Sequence, residues 1–269
     1  MATYVDTIPR STGLWTSTLA VARRGILKFL RTPQLVVLGT IQGAMFLLIF
    51  RYVFGGAIAG TGGIDYVDFL VPGFVTTTVL FAGMGAATAI AEDLEAGVVD
   101  RMRSLPIPRS AVLTGRAMAD TVVLVWSLAI TTAIGFAVGF RIHGPLNDAL
   151  LAFGLCVVFG FAFEWVFIYL GLTARTAQAA QGMALLVFPF TFVSSAYVPV
   201  ETMPGWMQAI AEHQPITYMV DAVRTLTQGP AAEALLGHPA SYYVGRSLLW
   251  TVAIVAIFAP LAVTRYRKG

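Results

Sequence analysis

Apolar stretches of about twenty residues recur six times along this chain, at 34–54, 67–91, 119–140, 149–172, 177–198 and 245–264, with charged or Gly/Pro-containing segments between them. A helix of that length crosses a hydrocarbon core of about 30 Å and pairs every backbone N–H and C=O internally, which is what lipid demands. A soluble globule fails on composition, because 57% of the 269 residues are hydrophobic and 12% are charged. So little polar surface cannot wet a molecule of this size. The pattern predicts an all-α, polytopic membrane protein with six transmembrane helices. It also predicts a single membrane domain over 1–269, without a soluble catalytic domain.

Six spans put both termini on one side. Assigned to alternate faces of the membrane, the 17 lysines and arginines divide thirteen to four, the minority being Arg51, Arg141, Arg224 and Arg246. The bias of basic residues toward the cytoplasm then places the termini and the loops near residues 100 and 175 inside. The expected location is the cell (cytoplasmic, inner) membrane, multi-pass. The net charge of +3 is accounted for by this sidedness, so no nucleic-acid partner is expected. Residues 1–13 lack an apolar core, and no cleavable signal peptide is expected. The one cysteine, Cys156, falls in an apolar run and reads as packing.

Three segments do not span. Over 14–31, Trp15, Leu19, Ala22, Ile26 and Leu30 share a helical face opposite Arg24, Lys28 and Arg31, the pattern of a helix lying in the interface until Pro33 breaks it. Over 92–110, charges of both signs alternate with Leu94, Val98, Val99, Met102 and Leu105 before Pro106 and Pro108. A short helix of this kind seats apolar residues in a partner's groove while its charges set the register. Over 199–243, Pro204 and Pro215 each open a short helix, and Ile216, Met219, Val220, Val223 and Leu226 fall on one face. Such helices are too short to cross, so they dip into or lie on the outer leaflet, a depth that suits Trp206 and Tyr218.

Catalytic chemistry is sparse. His143, His213 and His238 are not at ligand spacing from one another or from Cys156, so no metal site is expected. Ser194 or Ser195 with His213 and Asp221 can be written as a triad, but no nucleophile motif surrounds these serines. A phosphate-cradling loop needs Gly-Lys-Ser/Thr, and the only lysines are Lys28, between Leu27 and Phe29, and Lys268 before Gly269. The chain has no cofactor of its own by this reading. Glu164 lies deep in the fourth stretch, where an ionised side chain costs about 2.5 to 3.5 kcal/mol, so it lines a substrate path, meets a partner or packs as a neutral acid. Asp120, four residues after Arg116, reads as an interfacial ion pair. Gly39 and Gly43, Gly83 and Gly85, and Gly135 and Gly139 allow close helix approach. Pro72 and Pro189 can kink their spans, with Thr191, Ser194 and Ser195 near enough to satisfy freed carbonyls.

Taken together, the chain resembles the permease subunits of type-2 ABC exporters, in particular the daunorubicin-resistance permease group. The residues that carry the resemblance are Glu95-Ala-Gly97 with Arg101-Met-Arg-Ser-Leu-Pro106 after the second stretch, and Val198-Pro-Val, Pro204-Gly-Trp206 and His213-Gln214-Pro215-Ile216 before the sixth. The resemblance implies an ABC-2 type transmembrane domain with an N-terminal interfacial helix, a cytoplasmic coupling helix and short re-entrant outer helices before the last span. It implies a dimer of permeases, homo- or heteromeric, docked to two copies of a cytoplasmic ABC ATPase that binds ATP and Mg. Glu92, Asp93, Glu95, Gly97, Asp100, Arg101 and Arg103 would form the docking surface. Trp206, His213, Gln214 and Pro215 would mark the outer re-entrant segment, and Glu164, Ser194 and Ser195 a buried polar path. The implied function is outward movement of a hydrophobic drug, antibiotic or lipid, with no enzyme activity in this chain. The rival readings are a proton-coupled secondary carrier using Glu164, and an intramembrane enzyme using Glu212 and His213.

Overall fold

The computed structural model describes residues 13–31, 41, 43–55, 63–103, 109–174 and 176–268, and among these no strand occurs. Four helices are long and apolar enough to cross a membrane. They are α3 (Tyr66–Glu95), α5 (Arg109–Ala137), α6 (Leu146–Thr173) and α12 (Ala240–Lys268). They match the second, third, fourth and sixth apolar stretches. Of the first stretch, residues 34–40 and Gln42 lie outside the described residues, as does Gly39. What is described is the helix α2 (Gly43–Phe54), whose last turn widens to π geometry over Phe50–Phe54.

The fifth stretch differs from expectation because it is not one continuous helix. It divides into α7 (Ala177–Leu185) and α8 (Phe188–Phe192), followed by a turn through 193–198. Proline has no N–H to give the carbonyl four residues back, and its ring clashes there. For Pro189 that residue is Leu185, where α7 stops. Thr191 Oγ1 donates to the Phe188 carbonyl and Ser194 Oγ to the Thr191 carbonyl, as their positions suggested. Ser195 turns elsewhere, as described below.

α3 is the axis of the bundle and packs against α5, α6, α7 and α10 (Pro215–Gln228). Nearly every residue from Tyr66 to Leu80 is buried, so this helix is apolar all round rather than striped. Close packing rests on small residues at the crossings. A Cβ on Gly73 would overlap the Ala196 carbonyl, and one on Gly135 would come 2.7 Å from Val71. One on Gly83 would come 2.7 Å from the Phe167 ring, whereas Gly43, Gly85 and Gly139 face open space. Large apolar side chains such as Trp126, Leu150, Leu186, Leu249 and Val252 point outward, the reverse of a water-soluble surface.

α3 also measures depth. At one end Ala177 N–H donates to Glu95 Oε1 (2.8 Å), so α7 begins level with the last residue of α3. Nineteen residues later Ala196 packs against Gly73. Glu95 and Gly73 are separated by about 33 Å of helix at 1.5 Å per residue. α7, α8 and the turn after them therefore traverse most of the length of α3.

α1 (Leu14–Leu30) packs on the start of α5, with Ser17, Thr18 and Ala22 buried, while Trp15, Leu19 and Leu30 face away. After α8 come a 3-10 turn at Val200–Thr202, α9 (Gly205–Ala211), α10 and α11 (Pro230–Leu236). Pro204 caps α9, and Pro215 and Pro230 open α10 and α11. The fourteen-residue α10 is about 21 Å long, too short to cross. It sits between α3, α6 and α12 with every residue from Ile216 to Gln228 buried.

Candidate functional site

Polar side chains gather at the two ends of the bundle, with one carboxyl group between them. At the Glu95 end, α3 turns at Ala96–Gly97 into α4 (Val98–Arg103). Gly97 has φ +67°, a left-handed conformation that a side chain would strain. Arg116 on α5 bridges this turn, pairing with Asp93 (3.2 Å) and with Asp120 one turn along (2.7 Å), so the predicted Arg116–Asp120 pair gains a third member. Glu95 caps the first turn of α7, where Thr176 Oγ1 also accepts from Ala179 N–H. The turn is thus bound to α5 and α7 at once.

Part of the apolar stripe of this segment packs on the chain itself. Val99 is buried against Ile90, Val112 and Leu113, and Leu94 packs on the same cluster. α3 and α5 cover these two residues, because the short turn at Gly97 folds α4 back onto them; the Met102 side chain lies outside the described atoms and Leu105 outside the described residues. Glu92 and Arg101 are on the exposed side. Asp100 and Arg103 lie in α4 with their side chains outside the described atoms, and 104–108, with Pro106 and Pro108, lies outside the described residues.

Between the ends, Glu164 is 1% exposed. Its Oε1 lies 3.2 Å from where a Cβ on Gly83 would stand, and its Oε2 has no hydrogen-bond partner. The absent Cβ at Gly83 makes the room this carboxyl group occupies.

At the Asp68 end, Arg141 N–H donates to Asp68 Oδ1 (2.9 Å), and the α5–α6 loop is tied to the end of α10 through His143 Nδ1 and Gln228 Oε1 (2.8 Å). The most constrained cluster lies beneath. Arg224 on α10, fully buried, pairs with Asp221 at 2.6 Å, donates to the carbonyls of Phe69 and Ser195, and lies 3.7 Å over the Phe69 ring. Ser195 Oγ donates directly to Asp221 Oδ1 (2.7 Å). Burial pushes the Asp221 carboxyl up to about 6, with the Arg224 charge and the Ser195 hydroxyl opposing the rise. His213 hydrogen-bonds the Ala209 carbonyl instead, so the Ser–His–Asp relay that the sequence permits is not assembled.

Of the other expected site residues, Trp206 is exposed on α9, and Pro215 opens α10. Gln214 Nε2 donates to the carbonyls of Phe190 and Val193, two acceptors left by the broken α8. Sequence reasoning missed Arg224 as a site residue. Its signal was a basic residue three positions after an acid on the face of an otherwise apolar helix, which in lipid requires a partner.

The family model for the ABC-2 type transporter matches residues 16–227, from the first turn of α1 to the last turn of α10. The chain belongs to this family. Among similar ABC-2 relatives is the daunorubicin resistance ABC transporter permease protein DrrB1 of Streptomyces coeruleorubidus, 34% identical over 253 residues, covering 94% of this chain and 86% of that one. The probable doxorubicin resistance ABC transporter permease protein DrrC of Mycobacterium tuberculosis is 26% identical over 237 residues, covering 86% and 82%. A putative transport permease of Pyropia yezoensis is 27% identical over 221 residues, covering 77% and 72%. Membership in the ABC-2 family agrees with the absence of a Gly-Lys-Ser/Thr loop from this sequence.

Proposed function

We propose that this chain is the permease subunit of an ATP-driven exporter, moving a hydrophobic drug, antibiotic or lipid outward while docked to a separate cytoplasmic ATPase that holds ATP and Mg. The observation that carries the reading is the joint at the Glu95 end. Through Glu95–Ala177, Asp93–Arg116 and the burial of Val99, the α3–α4 turn is fastened to α5 and α7. A partner that moves α4 therefore moves three membrane segments together, and the exposed Glu92 and Arg101 are where it would press.

The reading includes six spans with both termini in the cytoplasm. Four are the long helices, the fifth stretch supplies α7 and α8 with the turn that follows, and the remaining one is the first stretch, of which α2 is the described part. The depth measured along α3 supports the fifth, since about 33 Å exceeds a hydrocarbon core of about 30 Å. α1, with Trp15, Leu19 and Leu30 turned from the protein, lies in the cytoplasmic interface. Two permeases, identical or paralogous, pair with two ATPases, and cargo leaves between the permeases when ATP closes the ATPases.

Glu164, with an unpartnered oxygen, favours the secondary carrier as the second reading. Proteoliposomes containing the chain and its ATPase separate the two. Cargo accumulation on adding ATP, with none on imposing a proton gradient, supports the exporter, and gradient-driven movement by the chain alone overturns it.

A further inference from the structure

The outer end holds a cavity of about 320 Å³ that the proposed export path does not use. Its walls come from the turn at Ser195, the start of α10, the end of α11 and the first turn of α12. Three properties of those walls converge on one ligand chemistry.

The first is charge. Asp221 and Arg224 both reach the cavity, but they neutralise each other at 2.6 Å. Glu201 and Glu212 remain, both exposed, and neither forms an ion pair among the described residues. Even with Arg246 beside the rim, 5.4 Å from the Tyr242 ring centre, the balance is negative.

The second is aromatic surface. Tyr242 stacks on His238 at 4.3 Å and meets Tyr243 at 5.3 Å and 85°, and Tyr218 at 6.4 Å and 67°. All four rings line the cavity. Tyr243 is fixed by donating its hydroxyl to the Leu236 carbonyl (2.8 Å). Tyr218 and Tyr243, each at a steep angle to Tyr242, offer electron-rich faces to a cation, while the Tyr242 ring already takes His238 in a stack and Arg246 over it at 5.4 Å.

The third is an unspent polar group. Thr217, another wall residue, is 4% exposed, and its Oγ1 has no hydrogen-bond partner. A buried hydroxyl left bare is costly, and a ligand hydroxyl would relieve it.

We infer that this cavity binds an alkylammonium group, a quaternary or protonated amine held by the Tyr218 and Tyr243 rings and balanced by Glu201 and Glu212. The group comes either from a soluble organic cation or from a choline lipid headgroup, and both present the same chemistry. Binding requires neither ATP nor a partner subunit, so its failure leaves the export reading standing, and the reverse holds.

The test is titration calorimetry of choline into the chain held in nanodiscs of phosphatidylglycerol, which carries no ammonium group, at constant ionic strength. One choline per chain is expected, displaced by tetramethylammonium and not by the neutral isostere 3,3-dimethyl-1-butanol. The double change Glu201→Gln, Glu212→Gln, made at exposed positions that spare the fold, is expected to weaken binding about tenfold. Thr217→Val should remove the advantage of choline over tetramethylammonium. Discs rebuilt with phosphatidylcholine separate the sources: suppressed titration assigns the site to a lipid headgroup, retained titration to a free cation. Absence of saturable binding, equal competition by the neutral isostere, or an unchanged affinity in the double variant overturns the inference.

Discussion

Replacing Arg224 by methionine removes the most heavily used side chain at the Asp68 end of the bundle. The guanidinium is 0% exposed and contacts Asp221 Oδ1 together with the carbonyls of Phe69 and Ser195. Methionine keeps much of the volume and none of the donors. Asp221 would be left as a buried charge with only the Ser195 hydroxyl, and breaking a buried ion pair this way costs about 3–5 kcal/mol. The two carbonyls lose donors at about 1–3 kcal/mol each, although neighbouring losses are not additive. The single variant should therefore lose at least about 4 kcal/mol, a large part of the stability of an ordinary domain. Adding Asp221→Asn removes the stranded charge while leaving an oxygen for Ser195. The double variant should then be more stable than Arg224→Met alone, by about 2 kcal/mol. Unfolding of the purified protein in mixed micelles, followed by circular dichroism as denaturing detergent is raised, measures both. If the double variant is no more stable than the single one, Asp221 is not held as a paired charge, and the account of this cluster is wrong.

Three further outcomes are expected. Glu95→Ala removes the cap on α7 and should cost about 1 kcal/mol in the same unfolding assay, and it should lower cargo-stimulated ATP turnover by the complex, whereas Glu95→Gln, which keeps an acceptor, should be milder. Glu164→Gln should leave ATP-driven export in proteoliposomes within a few-fold of the wild type, and complete loss of export would instead give the carboxyl group a proton-carrying role. With the buried Cys156 unreactive in the folded protein, Arg101→Cys should be labelled by an impermeant maleimide only from the cytoplasmic side and Trp206→Cys only from outside; reversal of either pattern removes the proposed topology.

The long spans were legible because a run of apolar residues needs no neighbour to declare itself. α3, α5, α6 and α12 appear where hydropathy placed them, and Pro204 and Pro215 start helices as their fixed φ suggests. What escaped was anything decided by a contact across the fold. Pro189 signalled a kink, but whether the chain bends or stops depends on what donates to the carbonyls left at the break, and Gln214 arrives from twenty-one residues away to donate to that of Val193. The stripe of Leu94, Val98 and Val99 was visible as a stripe, yet periodicity cannot say whether a partner or the same chain will cover it, and here Val99 turns inward. Ser195, Asp221 and His213 could be written as a triad from composition. Only the structure shows the acid claimed by Arg224.

Gln214 has a mechanical consequence. One amide nitrogen donates to two carbonyls at the broken α8, so it staples the start of α10 to that span. Drawing α10 out of the bundle would strip both carbonyls of that donor, at about 1–3 kcal/mol for each. If cargo moves between two subunits as proposed, the apolar flanks around Trp126 and Leu249 would be the cheaper seam to part.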